Sequence, residues 1–324
     1  MSVSTLRLTA PSRLHFGLLA WGKTAPRQFG SVGLMVDRPG LSILARPAEA
    51  WGASGPLARR TRLIIDHVVE HLHQESIDLE PLHLEIKSAP DEHVGLGTGT
   101  QLSLAVVKIL LHAAGDLAPA IPRLVAITGR GRRSGIGLHG FTRGGLIVDG
   151  GRGPETEYPP LLTRLDWPAE WSILVLIPPI ASGLSENRES EAFSRLPDLP
   201  LETTERLCRL LLLGLLPAVE ERDLAAFGDA LSDIQHQVGL GFAPAQGGIY
   251  ADPKLEALSK VMREMGLVGI GQSSWGPTIY GFGCFDEVSQ ATIQRELSLQ
   301  FLLPPSRIFW TRASAAGARI ENCL

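Results

Sequence analysis

Three glycine-rich stretches of this chain carry residue types suited to anion chemistry. In E-H-V-G-L-G-T-G-T-Q-L-S-L-A-V, residues 92–106, Gly95, Gly97 and Gly99 alternate with Leu96, Thr98 and Thr100 ahead of an apolar run with helical spacing. Glycine lets backbone N–H groups approach an anion closely, and the first turn of a helix presents N–H groups without intrahelical partners. A phosphate fits such a cradle. Plain helix–strand turns use the same pattern, however, and it is neither G-x-x-x-x-G-K-[ST] nor G-x-G-x-x-G. Residues 129–145, G-R-G-R-R-S-G-I-G-L-H-G-F-T-R-G-G, set Arg130, Arg132, Arg133 and Arg143 among glycines. Arginines so close together repel unless an anion is near, which favours a phosphate site over a solvated loop. The third stretch, G-Q-S-S-W-G-P (271–277), offers hydroxyls and backbone donors. A rival pattern, His67-Val68-Val69-Glu70-His71, matches the H-x-x-E-H of zinc peptidases; its plainer reading is a helix with partly exposed histidines.

These residues need a scaffold, and the hydrophobic periodicity supplies one of mixed strands and helices. Strands are expected at 5–9, 41–46, 82–87, 144–149, 171–179, 278–282 and 307–311. Helices are expected at 57–74, from 102 onward, and at 123–128, 203–217, 223–235, 253–265 and 286–299, so that the 95–100 cradle falls at a helix start. Residues 150–160, rich in Gly, Pro and charge, read as a linker or exposed loop, and 266–277 as a Gly/Ser loop. This gives an α+β protein with an N-terminal domain, 1–165, that carries the phosphate loop, and a C-terminal domain, 166–324, of helices on one face of a sheet. A net charge of −4 argues against nucleic acid as a partner. Three dispersed cysteines fit a reducing compartment, and no apolar run reaches the roughly 18 residues of a membrane span, so the expected location is cytoplasmic.

Three segments, A-P-S-R-L-H-F-G (10–17), G-L-G-T-G-T (95–100) and G-Q-S-S-W-G-P-T (271–278), resemble in type and order those of the galactokinase, homoserine kinase, mevalonate kinase and phosphomevalonate kinase (GHMP) superfamily. That likeness implies a domain similar to ribosomal protein S5 domain 2 followed by a ferredoxin-like domain, with ligand between them. Within the superfamily, R-S-G-I-G-L-H-G-F-T-R-G-G-L-I-V-D-G-G (133–151), S-G-L-S-E-N-R-E-S-E-A-F (182–193) and G-Q-S-S-W-G-P-T-I-Y-G-F (271–282) resemble the β-ribofuranosylaminobenzene 5′-phosphate synthase branch.

The resemblance implies condensation of phosphoribosyl diphosphate with 4-aminobenzoate or 4-hydroxybenzoate, with release of CO2 and diphosphate, on the way to tetrahydromethanopterin-type carriers. It implies roles in catalysis for Arg13, His15 and Arg133. Phosphate binding is expected of Ser12, Gly95, Gly97, Thr98, Gly99, Thr100, Gln101, Ser134, Ser273 and Ser274, and Mg2+ of Glu186, with the ion held mostly by the diphosphate. A homodimer is the default expectation.

One departure separates this chain from an ATP-dependent kinase of the same superfamily. Where those kinases often carry an acidic residue in a segment like S-G-x-D, this sequence reads Ser134-Gly135-Ile136-Gly137. A glycine side chain accepts no proton, whereas a carbon nucleophile on an aromatic ring needs no hydroxyl deprotonated. Common α/β phosphoribosyltransferases carry paired acids after an apolar strand, and this sequence has no Asp-Asp or Glu-Asp pair in such a place.

Overall fold

A computed structural model describes residues 5–23, 25–180 and 186–323, with the backbone alone for 186–190. The first sheet is built around two long antiparallel strands, β1 (Thr5–Leu18) and β2 (Ser31–Pro47). β2 forks the sheet. Its second half pairs with β4 (Leu82–Ser88), which pairs in turn with the short β3 (Gly52–Ser54); its first half pairs with β5 (Leu146–Asp149), which pairs with β6 (Leu161–Leu165).

Four helices cover this half: α1 (Ala58–Gln74), α2 (Thr98–Ala113), α3 (Ile121–Thr128) and α4 (Ile136–Arg143). On α1 the buried Thr61, Ile65, Val68 and Leu72 lie on one stripe, as an amphipathic helix requires. Helix α2 is buried on nearly all sides, from Leu102 to Leu111, because α1, α3, α4 and the sheet surround it. The cradle helix is therefore fixed in place.

The second sheet has the order β10-β7-β9-β8 and is antiparallel throughout: β7 (Ser172–Leu176), β8 (Val268–Gln272), β9 (Ile279–Gly283) and β10 (Ile308–Thr311). Between β7 and β8 run α5 (Glu186–Arg195), α6 (Leu201–Leu210), a π turn (Leu211–Leu215), α7 (Leu216–Glu220), α8 (Leu224–Gln246) and α9 (Pro253–Glu264). Helix α10 (Glu287–Phe301) precedes β10. Carboxylates of Asp223, Asp252 and Asp286 accept from N–H groups in the first turns of α8, α9 and α10 and fix where these helices begin.

Strand β7 explains the uninterrupted apolar run read at 171–179. Ile173, Val175 and Ile177 join a core with Leu14, Phe16 and Leu34 of the first sheet and Phe227 of α8, while Leu174 and Leu176 face a separate core with α9 and α10. Both halves thus contribute to one shared core, beside a core that each keeps to itself.

Several expectations change. Residues 150–160 are the connection of a β5–β6 hairpin rather than a linker, closed by Gly150 N–H donating to Pro160 O. The chain passes from the first sheet to the second between β6 and β7. It then returns, for the last strand, β11 (Arg319–Cys323), pairs with β1. Part of the stretch read as a Gly/Ser loop is the edge strand β8, and half of the arginine-glycine segment is α4. Among the described residues no helix is long and apolar enough to cross a membrane. The three cysteines are free thiols.

Candidate functional site

Strand β1, the 95–100 cradle and the 271–278 segment meet at one place because they are hydrogen-bonded to one another. Thr278 donates to Val94 O from both its N–H (3.2 Å) and its hydroxyl (2.6 Å), and Ser273 Oγ donates to Gly95 O (2.7 Å) while accepting from His15 N–H (3.0 Å). Arg13 N–H donates to Leu96 O (3.0 Å). Gly95 has a φ of 91°, and a side chain there would overlap the Ser273 carbonyl; one at Gly276 would overlap Val94. Strand β1, the cradle loop and the loop before β9 are thereby one assembly.

Beside this junction lies a cavity of about 530 Å³, a size suited to a small-molecule ligand. Arg13, Arg60, Arg130, Arg132 and Arg133 line it against, among the described residues, a single carboxylate, Glu92, which is ion-paired with Arg60. That balance favours an anion. The glycines make room for the guanidiniums: a Cβ on Gly97 would stand 3.2 Å from Arg13 Nε, and one on Gly99 2.7 Å from Arg60 Nη2.

Of the residues expected from sequence, Arg13, His15, Gly95, Gly97, Thr98, Gly99, Thr100, Arg133, Ser134 and Ser274 line the cavity. Ser12, Gln101 and Ser273 are buried behind it. Gln101 donates its amide to Gly137 O (2.9 Å), and Ser273 joins the two loops, so these side chains hold the walls rather than face a ligand. Thr98 commits its hydroxyl to Asp91 O (3.0 Å) and offers the cavity its backbone. Burial, and after it the neighbouring Arg13 charge, holds His15 well below the ordinary histidine value, so it stands in the cavity wall as neutral imidazole. Glu186 opens α5, and its side chain lies outside the described residues.

Asp149 escaped the sequence reading although it closes the G-G-L-I-V-D segment. Its carboxylate accepts from Gly135 N–H (2.8 Å), Gly151 N–H (2.9 Å) and the Ser31 hydroxyl, and Ser31 Oγ lies 2.8 Å from Ser134 Oγ. It anchors the arginine-bearing turn from below. Burial pushes this carboxyl up to about 6 against the hydrogen bonds that lower it. Arg60 was equally hidden, since at the start of an amphipathic helix it reads as surface charge.

Gly137 packs on the cradle: a Cβ there would stand 3.3 Å from Thr100 Cγ2, and its carbonyl already serves Gln101. The histidines of the H-x-x-E-H pattern are engaged separately, His67 Nε2 with Ile127 O at 2.9 Å and His71 Nε2 with Glu75 at 3.3 Å. They form part of the α1–α3 packing and of a surface ion pair. Apolar side chains also line the cavity: Phe193 of α5, Val238 and Phe242 of α8, Ile249 and Trp275, beside Gln235, Gln246 and Gln272.

A two-sheet scaffold with a glycine cradle at the start of α2 is the GHMP-kinase architecture, and comparison with known proteins agrees. Residues 215–301 match the family model described as GHMP kinases C terminal. Homoserine kinase from Cytophaga hutchinsonii superposes with a TM-score of 0.70 at 16% identity, over 99% of this chain and 98% of that one. Streptococcus pneumoniae phosphomevalonate kinase gives 0.68 at 14% identity, over 96% and 100%. At such identities the likeness is one of fold.

In sequence the chain is 33% identical over 296 residues to the beta-ribofuranosylphenol 5'-phosphate synthase of Methanothermobacter thermautotrophicus, covering 86% of this chain and 88% of the relative. To the protein of the same name from Archaeoglobus fulgidus it is 33% identical over 332 residues, covering 98% and 99%. The chain belongs to the beta-ribofuranosylphenol 5'-phosphate synthase family and is an enzyme, a transferase.

Proposed function

We propose that the protein transfers the phosphoribosyl group of 5-phosphoribosyl 1-diphosphate to the carboxylate-bearing carbon of 4-hydroxybenzoate or 4-aminobenzoate, releasing CO2 and diphosphate, in tetrahydromethanopterin-type carrier synthesis. The names of the relatives put the phenol product first. The observation that carries the reading is the meeting of five arginines and the glycine cradle on one cavity, with glycine rather than a carboxylate at position 137.

In this reading the bond from C1 of the ribose to the diphosphate oxygen breaks, and its electron pair leaves with diphosphate. The ring carbon forms the new bond to C1. The ring–carboxylate bond then breaks, its pair restores the aromatic ring, and CO2 departs. Backbone N–H groups of 97–99 with Arg13, Arg60 and Arg133 hold the departing charge, those of Thr100 and Gln101 being donated to Gly97 O, and the cavity aligns the reactants. Neutral His15 serves as a hydrogen-bonding group rather than a cation.

Magnesium, when bound, would neutralise diphosphate oxygens. Among the described residues no group of three or more His, Cys, Asp or Glu could hold a metal ion, and Glu92 is engaged with Arg60, so the ion is proposed to arrive on the diphosphate.

Purified protein with phosphoribosyl diphosphate, magnesium and carboxyl-labelled 4-hydroxybenzoate or 4-aminobenzoate tests the reading. Labelled CO2 is expected only when donor and acceptor are both present. Its absence with both benzoates would sink the proposal.

A further inference from the structure

We propose that Ser134 selects the sugar of the donor by accepting a hydrogen bond from one of the two ribose ring hydroxyls, rather than by donating one to a phosphate; this rests on the transferase reading of the cavity. Ser134 lines the cavity beside Arg133, at the turn that opens α4. Its Oγ lies 2.8 Å from Ser31 Oγ, and Ser31, fully buried, donates to the Asp149 carboxylate. A hydroxyl carries one proton, and an ionised carboxylate only accepts. Ser31 spends its proton on Asp149, so at the 2.8 Å contact Ser31 is the acceptor and Ser134 the donor. Both hydroxyl protons thus point away from the cavity. Burial pushes the Asp149 carboxyl up only to about 6, so above that value the group is ionised and the direction holds.

Ser134 therefore shows the cavity an oxygen without a hydrogen. One lone pair of its Oγ takes the Ile136 N–H at 3.3 Å, and no other bond among the described residues uses the second. The nearby amides are spent as well: Gly135 N–H goes to one oxygen of the Asp149 carboxylate at 2.8 Å and Gly151 N–H to the other at 2.9 Å. Such a wall repels the oxygens of a phosphate, which are acceptors, and suits a group with an O–H to give. In phosphoribosyl diphosphate the neutral groups of that kind are the two ring hydroxyls. Position agrees with chemistry. The turn that carries Ser134 runs into α4, whose Gly137 packs on Thr100 of the cradle, a Cβ there standing 3.3 Å from Thr100 Cγ2. A sugar whose C1 bears the cradled diphosphate brings its ring hydroxyls to this wall. The guanidiniums bind any anion; the serine adds a demand for a sugar that can donate.

Calorimetry with the full chain at pH 8, without magnesium, reads the direction of the bond. Ribose 5-phosphate is compared with its 2-deoxy-2-fluoro and 3-deoxy-3-fluoro analogues, whose fluorine has no proton to give. One of the two fluoro sugars should bind about fivefold or more weakly than ribose 5-phosphate, because it leaves the Ser134 acceptor unpaired. Ser134→Ala should weaken ribose 5-phosphate by about three- to tenfold, the scale of one hydrogen bond, while that fluoro sugar and inorganic diphosphate stay within about twofold of their wild-type affinities. Equal binding of the three sugars, no sugar binding, unchanged ribose 5-phosphate affinity in Ser134→Ala, or a loss that falls as heavily on diphosphate would overturn the inference. Sugar selectivity as expected without CO2 release from a labelled benzoate would overturn the proposed reaction and leave the role of Ser134 standing.

Discussion

Replacing Gly95 and Gly99 by alanine, one at a time, separates the two jobs of the cradle. A Cβ on Gly95 runs into the Ser273 backbone carbonyl and stands 3.1 Å from Gly276 Cα, so the two loops must part. Parting them weakens the Ser273–Gly95 bond and the two Thr278–Val94 bonds. At about 1 kcal/mol per bond, with about 1 kcal/mol for alanine in the left-handed region, the loss comes to about 3–4 kcal/mol, a large part of a typical domain's stability. At Gly99 the new Cβ meets only the tip of the Arg60 side chain, which can swing away. Stability should then change by less than about 1 kcal/mol. The guanidinium leaves its post, however, and losing a charged hydrogen bond worth roughly 1.5–3 kcal/mol should weaken diphosphate about tenfold or more. Urea unfolding and calorimetric titration with diphosphate read the two effects. Gly95→Ala unfolding within about 1 kcal/mol of wild type, or Gly99→Ala binding diphosphate normally, would refute the reasoning.

Asp149 gives a pH signature. Its folded value of about 6 lies above the ordinary 3.8, so the folded state holds this proton longer than the unfolded chain. The group's contribution to stability therefore falls as pH rises from about 4 to about 6 and is level above that; 2.2 pH units correspond to about 3 kcal/mol. Unfolding free energies of wild type and Asp149→Asn, compared from pH 4 to 8, should show wild type losing about that much relative to the variant, and parallel curves would count against the assignment. Protonation turns one carboxylate oxygen into a donor and so weakens the bond from either Gly135 or Gly151 N–H, whose acceptors are the two different oxygens; turnover should drop below about pH 6 and be reduced at every pH in Asp149→Asn. Arg133→Lys keeps the charge but loses the planar fork and the stacking on Phe193, and kcat/KM should fall about tenfold or more. Unchanged kinetics for both Arg133→Lys and Arg133→Ala would remove this arginine from the site.

What the sequence disclosed and what it hid follow from how each signal arises. Helices α1 and α9 and strands β7 and β9 have one buried stripe or one continuous buried run, and periodicity finds them. Strand β8 was read as loop because Gly269 and Gly271 erase its apolar alternation; Gly271 is needed where Gln235 presses on the backbone. Helix α4 hid among arginines and glycines, although Ile136, Leu138 and Phe141 are buried. At the site, the glycine and arginine segments could be quoted from the chain because each is contiguous. Arg60 and Phe242 lie outside every quoted segment, and Asp149 and Phe193 stand inside quoted segments without a signal of their own, since only the fold brings Arg60, Phe193 and Phe242 to one cavity and sets Asp149 beneath its arginine-bearing turn. The aromatic pair reads as ordinary core, and in the fold Phe242 belongs to the core with Phe193 packed against it.

The most direct test of the central claim is a single reaction followed by phosphorus NMR. The purified protein receives magnesium, ATP, phosphoribosyl diphosphate and 4-hydroxybenzoate, or 4-aminobenzoate in a parallel sample; further samples replace the benzoate with galactose, homoserine or mevalonate. The account predicts that the phosphoribosyl diphosphate signals give way to free diphosphate only with a benzoate, while the ATP signals stay intact throughout. Acceptor-dependent ADP at an ordinary enzymatic rate of about 1 per second or more, with phosphoribosyl diphosphate untouched, would contradict it and make the protein a kinase.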